Sequence, residues 1–206
     1  TDLDGLLAFA KANNIGLTVV GPEDPLAAGI VDLFEQNGLL VFGPSKAAAQ
    51  LEASKAYSKA MMQKYGVSTA QGASFTEIDE ARDYIKTMGA PIVIKADGLA
   101  GGKGVMLCHS EQEALDALDA MMNMGQSGNA GSCVVIEEYL FGEEASFLAF
   151  CDGQNILPLP SAQDHKAVFD GDNGPNTGGM GAYSPAPVVD TLITKAVMQD
   201  VMQPIV

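Results

Sequence analysis

The first fifty residues alternate between helical and strand-like spacing of apolar side chains. Apolar residues at helical intervals predict helices at 3–10 and 26–34, and short apolar runs predict strands at 17–20 and 39–42. A β-α-β order of this kind implies parallel strands joined by a right-handed crossover. Because two strands form a poor domain by themselves, we expect further strands of the same domain before Thr1.

The central part of the chain follows a different order, in which two strands flank a glycine-rich loop. The predicted elements are a helical segment at 45–65 with a break near 54, a strand at 72–75, a helix at 76–88, strands at 92–95 and 105–108, a helix at 110–122 and a strand at 134–140. The helices at 76–88 and 110–122 each open with a capping-box pattern, at 76–79 and 110–113. Residues 123–132 are rich in glycine, asparagine and serine and predict a mobile connection.

The last third of the chain begins with a predicted hairpin and ends with a predicted helix. Strands at 145–151 and 155–160 flank Asp152-Gly153, a dipeptide typical of hairpin turns. The final helix is predicted at 188–202 and should end near Pro204.

Residues 161–187, between these elements, show little regular patterning. A connection of this length within a compact domain is usually either functional or disordered. We expect this one to be ordered, because Met180 and Tyr183 offer anchors among its glycines.

Composition narrows the class of protein. With 206 residues, of which 47% are apolar, the chain can bury one sizeable core or two smaller ones. The sequence contains no run of 18 apolar residues, which argues against a membrane span, and no signal-peptide pattern at its start. Cys108, Cys133 and Cys151 lack metal-ligand spacing, so we interpret them as small core residues in a reducing compartment. These features together predict a cytoplasmic protein.

The charge balance narrows the class of partner. The formal net charge of −15 argues against nucleic acid, whose backbone is bound by clustered lysine and arginine. An acidic protein that handles phosphates must concentrate its few cations at the site and use a divalent metal where needed. The sequence specifies no oligomeric state and is compatible with a monomer.

The glycine-rich loop is the strongest candidate for chemistry. Lys95 ends the preceding strand, and Lys103 lies among four glycines. The four are Gly98, Gly101, Gly102 and Gly104. Glycine permits backbone conformations in which successive N–H groups close around an anion, and two ammonium groups beside such a loop suit a polyphosphate. The alternative is a flexible hairpin turn with incidental lysines.

Two familiar glycine motifs are excluded. A Walker A loop requires Ser or Thr after Gly102-Lys103, where this chain has Gly104, and a glycine where it has Asp97. A dinucleotide-binding fingerprint should open a helix, whereas 105–108 is strand-like. The order strand, loop, strand, helix fits a loop that covers a nucleotide from one side.

Carboxylates lie at several predicted strand ends. Main-chain groups of the extended segment 137–140 could fix an adenine ring, and Glu143 or Glu144 could hold ribose hydroxyls. Glu23 follows the first predicted strand, where open α/β sheets bind ligands. Taken singly, each glutamate at 137–144 is better explained as a surface residue. Glu23 and its neighbour Asp24 are equally well explained by a proline-rich turn, in which Asp24 before Pro25 is a helix N-terminal carboxylate.

Longer motifs carry a resemblance to a known family. The matching stretches are Gly21-Pro-Glu23, Gly43-Pro-Ser45, 92–105, 135–147, 163–166 and 174–185. They closely resemble the phosphoribosylamine–glycine ligases, also called glycinamide ribonucleotide synthetases, of the ATP-grasp superfamily. The resemblance extends over essentially the whole chain.

The resemblance implies a fold and a division into domains. The fold is an α/β ATP-grasp fold with an α+β lid, joined to part of an N-terminal parallel-sheet domain. Residues 1–50 would be the C-terminal half of that N-terminal domain, 73–139 the lid, and 51–72 with 140–206 part of the central ATP-grasp domain.

The resemblance also implies a reaction. ATP would phosphorylate the carboxylate of glycine, and 5-phosphoribosylamine would attack the resulting glycyl phosphate. The products would be glycinamide ribonucleotide, ADP and phosphate, in purine biosynthesis. ATP would act with Mg²⁺ or Mn²⁺.

Site residues carry over by motif. The ATP-binding set would be Lys55, Lys95, Gly98, Gly101, Gly102, Lys103, Gly104, Glu137, Glu138, Leu140 and Glu144. Within it, Lys55 and Lys95 would contact phosphates, main-chain atoms of Glu138 and Leu140 would hold adenine, and Glu144 would hold ribose. The set facing phosphoribosylamine and glycine would be Glu23, Asp164, Lys166, Asn176, Thr177, Gly178, Gly179, Met180 and Gly181.

The chain departs from the family pattern in three places. Nothing corresponds to the glycine-rich β-α turn with which the family begins, and the metal ligands are expected beyond Val206. We therefore expect a piece truncated at both ends and inactive alone. Ala167 stands where relatives often carry a basic residue, which questions any charge role at that position.

Two other functions remain open at this point. Another ATP-grasp ligase or a carboxylase would share the nucleotide motifs, but it should lack the loop at 176–184. A non-catalytic nucleotide-binding module would bind ATP without turnover.

Overall fold

The computed structural model describes residues 1–99, 104–122, 132–171 and 173–206. They form two compact units, one of residues 1–60 and 71–138 and one of residues 61–70 and 139–206. No helix within the described ranges is long and apolar enough to cross a membrane. The predicted connection at 123–132 lies outside the described residues, except for Ser132.

The first unit begins with a small parallel β-α-β arrangement. Its elements are α1 (Leu3–Ala12), β1 (Thr18–Val19), α2 (Glu23–Ala28), α3 (Ile30–Gln36) and β2 (Val41–Phe42). Strands β1 and β2 pair in parallel, with Thr18 opposite Val41, as the sequence predicts. Ile30, Val31 and Phe34 of α3 pack with Ala10 of α1 in a small buried cluster.

The single helix predicted at 26–34 is wrong, because Gly29 divides it into α2 and α3. Gly29 adopts a left-handed conformation (φ +96°), and its N–H donates to the carbonyl oxygens of Pro25 and Leu26. This arrangement ends α2 in the way glycine commonly ends helices. The apolar spacing hides the break, because α3 resumes with apolar residues in the same phase.

A four-stranded antiparallel sheet forms the centre of the first unit. Its strands are β3 (Gly72–Phe75), β4 (Ile92–Ala96), β5 (Val105–Cys108) and β6 (Val134–Glu138), in the spatial order β3-β6-β4-β5. Helices α6 (Ile78–Met88) and α7 (Glu111–Met122) contribute to a buried cluster with one face of this sheet. The predicted strands at 72–75 and 105–108 are confirmed, and those at 92–95 and 134–140 are confirmed with small changes at their ends.

Neither capping box forms completely, although Ser110 caps α7. Ser110 Oγ accepts a hydrogen bond from the N–H of Glu113 at 3.3 Å, and the Glu113 carboxylate accepts from His109 N–H at 2.8 Å. Before α6 the N-cap residue is Glu77, which makes no side-chain capping hydrogen bond. The box predicted at 76–79 is wrong because α6 starts one residue later than a Thr76 cap requires.

The helical segment predicted at 45–65 forms two helices. These are α4 (Gln50–Ala53) and α5 (Lys55–Lys64), and the break predicted near 54 is confirmed at Ser54. The segment begins at Gln50 and not at 45, since 46–49 form turns.

The second unit contains two antiparallel strand pairs and a C-terminal helical segment. The first pair is β7 (Ala149–Cys151) with β8 (Ile156–Pro158), and the second is β9 (Gln163–Phe169) with β10 (Asn173–Tyr183). Helix α8 (Thr191–Val197), a π-helical turn (Met198–Met202) and α9 (Gln203–Ile205) follow. The predicted hairpin is confirmed, although its first strand begins at Ala149 and not at 145.

Two predictions about the second unit are wrong. The stretch at 161–187 is mostly a strand pair, whose register shifts hide the alternation of side chains. Met180, proposed as an anchor, is 61% exposed. The predicted end of the C-terminal helical segment near Pro204 is confirmed, since α9 ends at Ile205, although the segment begins at Thr191 and not at Val188.

The three cysteines differ in burial. Cys108 is buried, Cys133 is intermediate and Cys151 is exposed. The prediction that all three are core residues is therefore confirmed for Cys108 and wrong for Cys151.

Candidate functional site

Two lysines and one glutamate form an ion-pair cluster in the first unit. Lys59 Nζ pairs with Oε1 of Glu137, and Lys95 Nζ pairs with Oε2 of the same carboxylate. The side chains of Lys59 and Glu137 are 3% and 8% exposed, whereas that of Lys95 is 31% exposed. We call Lys59, Lys95 and Glu137 the Glu137 cluster.

The pleat of the sheet places two members of this cluster on one face. Successive side chains of a strand point to opposite faces. Ile94 of β4 and Ile136 of β6 belong to the core beneath α6 and α7, so their neighbours Lys95 and Glu137 point to the other face. In the register, Glu137 lies opposite Val93, two residues from Lys95, which makes the two charged residues diagonal neighbours. Lys59 comes from α5.

The two lysines keep Glu137 ionised. Burial alone would raise the pKa of this carboxyl group, but hydrogen bonds from Lys59 and Lys95, together with their charges, outweigh it and hold the pKa below its ordinary value. Two ammonium groups and one carboxylate leave the cluster with one net positive charge. Because Lys95 is the one partly exposed member of the cluster, that charge is available to an anion through Lys95.

The start of the glycine loop is tied to the N-terminus of α5. Asp97 accepts hydrogen bonds from Ser54 Oγ at 3.1 Å and from Ala56 N–H at 3.0 Å. Lys55 Nζ donates to the carbonyl oxygen of Gly98 at 2.8 Å. The structure therefore brings the predicted phosphate ligand Lys55 to the first residue of the predicted loop.

The other end of the loop is tied to the sheet. Gly104 accepts a hydrogen bond at its carbonyl oxygen from Ala96 N–H at 2.7 Å, and Gly98 adopts a positive φ of +86°. The predicted ligands Gly101, Gly102 and Lys103 lie outside the described residues.

Glu138 uses its backbone N–H within the sheet. That N–H donates to Gln71 O at 2.8 Å, and the Glu138 carboxylate accepts from Gln71 N–H at 2.7 Å. The main-chain contact to adenine that the sequence predicts for Glu138 would therefore use its carbonyl oxygen.

Glu23 lies in the other part of the first unit. It is exposed and begins α2. This position agrees with the open alternative of a carboxylate at a helix N-terminus.

A second charged group lies in the second unit. Lys166 Nζ on β9 is 3.0 Å from Glu144 Oε1 and 3.5 Å from Asp164 Oδ2. The pKa of Lys166 is raised, first by its hydrogen bond with Glu144 and then by the negative charges of Glu144 and Asp164. Desolvation lowers this pKa but is outweighed. Glu144, which the sequence predicts as a ribose ligand, thus lies beside Lys166 and Asp164, which it predicts as ligands of phosphoribosylamine and glycine.

Strand β10 brings more predicted residues towards this group. Thr177 Oγ1 donates to the carbonyl oxygen of Lys166 at 2.9 Å and accepts from Gly179 N–H at 3.1 Å. Gly181 lies opposite His165 in the register, and the backbone of Asn176 lies opposite Ala167. The predicted ligands Gly178 and Met180 lie on the same strand and are exposed. Leu140, a predicted adenine ligand, is also exposed but does not belong to this strand. Roles for all of these residues stay predictions.

Sequence reasoning missed three residues of the candidate site, namely Ser54, Lys59 and Asp97. Lys59 lies four residues after Lys55, hence on the same helix face, and this spacing is a signal that could have found it. Asp97 was noted only as a mismatch to the Walker motif, and Ser54 only as a helix break.

The described residues offer no metal centre. Within the described ranges, no group of three or more His, Cys, Asp and Glu side chains is placed to hold a metal ion.

Comparisons with known proteins agree on one family. The model of the phosphoribosylglycinamide synthetase N domain matches residues 1–52, and that of the phosphoribosylglycinamide synthetase ATP-grasp (A) domain matches residues 53–206. A phosphoribosylamine–glycine ligase of Halalkalibacterium halodurans is 55% identical over 98% of this chain and 47% of its own length. One of Yersinia pestis is 53% identical over 100% of this chain and 48% of its own length.

A solved structure agrees with the sequence relatives. The crystal structure of phosphoribosylamine–glycine ligase from Thermotoga maritima superposes with a TM-score of 0.74 at 39% identity, covering 80% of this chain and 42% of that one. The fold and these matches define an ATP-grasp protein. Within that class, the chain belongs to the phosphoribosylglycinamide synthetase family. The chain spans about half the length of the curated relatives it matches.

Proposed function

We propose that this chain is part of a phosphoribosylamine–glycine ligase, an enzyme that joins glycine to 5-phosphoribosylamine at the expense of ATP. The observation that carries the proposal is the Glu137 cluster, which presents one net positive charge through Lys95 beside a glycine loop. The family match supports the same activity, since relatives of the family carry that name.

The nucleotide would be held mainly by cations and backbone. Lys55 and Lys95 would bind its phosphates, because ammonium groups form strong charge-assisted hydrogen bonds with phosphate oxygens. Adenine would be held by the carbonyl oxygen of Glu138 and by the main chain of Leu140, and ribose by Glu144. The roles of Leu140 and Glu144 rest on the sequence motif alone.

The other substrates would be held by Asp164, Lys166 and the β10 segment 176–181. In the proposed reaction a carboxylate oxygen of glycine attacks the γ-phosphorus and ADP leaves. The amine nitrogen of 5-phosphoribosylamine then attacks the acyl carbon, phosphate leaves, and the amine loses a proton. We assign no step to a metal. Because the chain spans about half the length of its curated relatives, we expect it to be inactive by itself.

Phosphate release by the full-length protein tests this proposal. Release should require ATP, glycine and 5-phosphoribosylamine together. With glycine labelled by ¹⁸O in its carboxylate, one labelled oxygen should appear in each phosphate released, since the glycyl phosphate breaks at its acyl carbon. Nucleotide binding without release would indicate a non-catalytic module, and release with a different acid or amine would indicate another ATP-grasp ligase.

Substitution of Lys95 tests the site itself. Lys95→Met should lower kcat/KM by roughly 10²-fold or more, the scale of one preorganised charge contact. Lys86→Met is the matched control, because Lys86 lies on the exposed side of α6 and pairs only loosely with Asp83 at 3.4 Å. Equal kinetics for the wild type and Lys95→Met would contradict the assignment.

A further inference from the structure

We propose that Lys59 is a positioning residue that neutralises Glu137, so that Lys95 keeps its positive charge for the phosphates of the nucleotide. This inference rests on the proposed function. It assigns a role to a buried lysine that does not itself reach the ligand.

Burial separates the roles of the two lysines. The side chain of Lys59 is 3% exposed, so its ammonium group is enclosed by protein and directed at Glu137. Lys95 is partly exposed and can contact both Glu137 and an anion from solvent. The two lysines take different oxygens of the carboxylate, so neither displaces the other.

Charge counting shows what Lys59 contributes. With Lys59 present, two positive charges and one negative charge leave the cluster at +1. Without Lys59, Lys95 and Glu137 would form a closed neutral pair. The buried carboxylate would then draw the Lys95 ammonium group towards itself, and an incoming phosphate would have to compete with Glu137 for it.

The cost of burying Lys59 also points to a role beyond packing. Taking an ion pair out of water costs free energy, and apolar side chains of similar size often stabilise such a position as well or better. A buried lysine is therefore a poor choice for packing alone. It is a good choice for setting the charge of a neighbouring group.

Four variants of the full-length protein separate this role from a structural one. They are Lys59→Met, Lys59→Arg, Glu137→Gln and the double variant Lys59→Met/Glu137→Gln. Dissociation constants for ATP and for adenosine are measured by calorimetry, and KM and kcat for ATP by phosphate release. Adenosine is the internal control because it lacks phosphates.

Lys59→Met should weaken ATP binding roughly 10- to 100-fold, the effect of losing one buried charge partner. Its affinity for adenosine should stay within about twofold, since the change acts on phosphate binding only. The double variant should recover most of the ATP affinity, because removal of both charges restores the count to +1. Lys59→Arg should resemble the wild type, and Lys86→Met is again the matched control.

Several outcomes would overturn the inference. Wild-type ATP affinity in Lys59→Met, or equal weakening for ATP and adenosine, would reduce Lys59 to a structural residue. A double variant that binds ATP no better than Lys59→Met would also reduce Lys59 to a structural residue. If Lys59→Met fails to fold, the comparison of Glu137→Gln with the double variant decides. The cluster then carries a charge of +2 or +1, so the double variant should bind ATP less tightly than Glu137→Gln, and equal affinities would overturn the inference.

Failure of the proposed function gives a different result. A wild-type protein that neither binds ATP nor releases phosphate would overturn the proposed function and this inference with it. A wild type that does both, with a double variant that does neither, would overturn the inference alone.

Discussion

Glu137 is a buried carboxylate whose ionisation depends on two residues distant in sequence. Desolvation raises the pKa of Glu137, but the ammonium groups of Lys59 and Lys95 lower it further than desolvation raises it, and the carboxylate stays ionised. Its neighbour Glu138 lies next to it in sequence but on the other face of β6, where it accepts a hydrogen bond from Gln71 N–H. Two adjacent glutamates therefore have different physical roles, and they can be compared in matched variants.

Glu137→Gln should destabilise the protein much more than Glu138→Gln. Without its carboxylate, the cluster holds two ammonium groups close together, one of them buried, and breaking a buried pair in this way costs about 3–5 kcal/mol. Glu138→Gln keeps an amide oxygen that can accept from Gln71, so its cost should be about 1 kcal/mol or less. Urea unfolding of the full-length variants, followed by fluorescence and circular dichroism, measures both. Equal losses would contradict the difference in role.

The cost of Glu137→Gln should also depend on pH. The pKa of Glu137 is lower in the folded protein than in the unfolded chain, so its stabilising effect is complete above the unfolded value of about 4.3 and is lost as pH falls through the folded value. The difference in unfolding free energy between wild type and variant should therefore be constant from pH 7 to about pH 5 and shrink in more acidic solution. A difference that grows as pH falls would contradict this sign.

At the scale of elements, the pairing of β3 with β6 holds Glu137 in place. Gly72 lies opposite Glu137 in the register. A Cβ atom at residue 72 would collide with the carbonyl oxygen of Ile136 and lie 2.8 Å from Cγ of Glu137. The close approach of these two strands therefore requires glycine at this position.

Gly72→Ala should both destabilise the protein and weaken ATP binding. We expect a loss of about 1–3 kcal/mol, typical of overpacking at a tight contact, and a higher KM for ATP because the displaced strand moves Glu137. Gly16→Ala is the matched control, since an added Cβ there meets nothing within 4 Å. Thermal unfolding and phosphate release measure the two effects. A Gly72→Ala protein with wild-type stability would show that the strands can separate without cost.

The extent to which the fold and the candidate site could be predicted depends on how clearly each element is marked by its pattern of apolar residues. Strands β4, β5 and β6 are predictable because branched apolar residues form uninterrupted runs. The β9–β10 pair is not, because glycines and register shifts in β10 remove the alternation on which prediction relies. Lys95 is found through its glycine loop, but Lys59 resembles any surface lysine on a helix until the fold shows what it contacts.

At the scale of the whole molecule, nucleotide binding should be linked to folding. The net charge of the chain is −15, so an anionic ligand depends on local concentrations of positive charge such as the Glu137 cluster. A ligand that binds only the folded state stabilises it by an amount set by its concentration relative to Kd.

ATP should therefore raise the melting temperature of the full-length protein, and Lys95 should carry much of that effect. At a concentration of 100 times Kd, ATP should add about 2.7 kcal/mol to the free energy of unfolding. If Lys95→Met weakens binding about 100-fold, the same ATP concentration should add only about 0.4 kcal/mol. Lys86→Met should respond as the wild type does, because its side chain is exposed and outside the cluster. Differential scanning fluorimetry across an ATP series measures these shifts. An equal shift in Lys95→Met and wild type would show that the phosphates are held elsewhere, whereas a reduced shift in Lys95→Met alone would locate them at the exposed member of the Glu137 cluster.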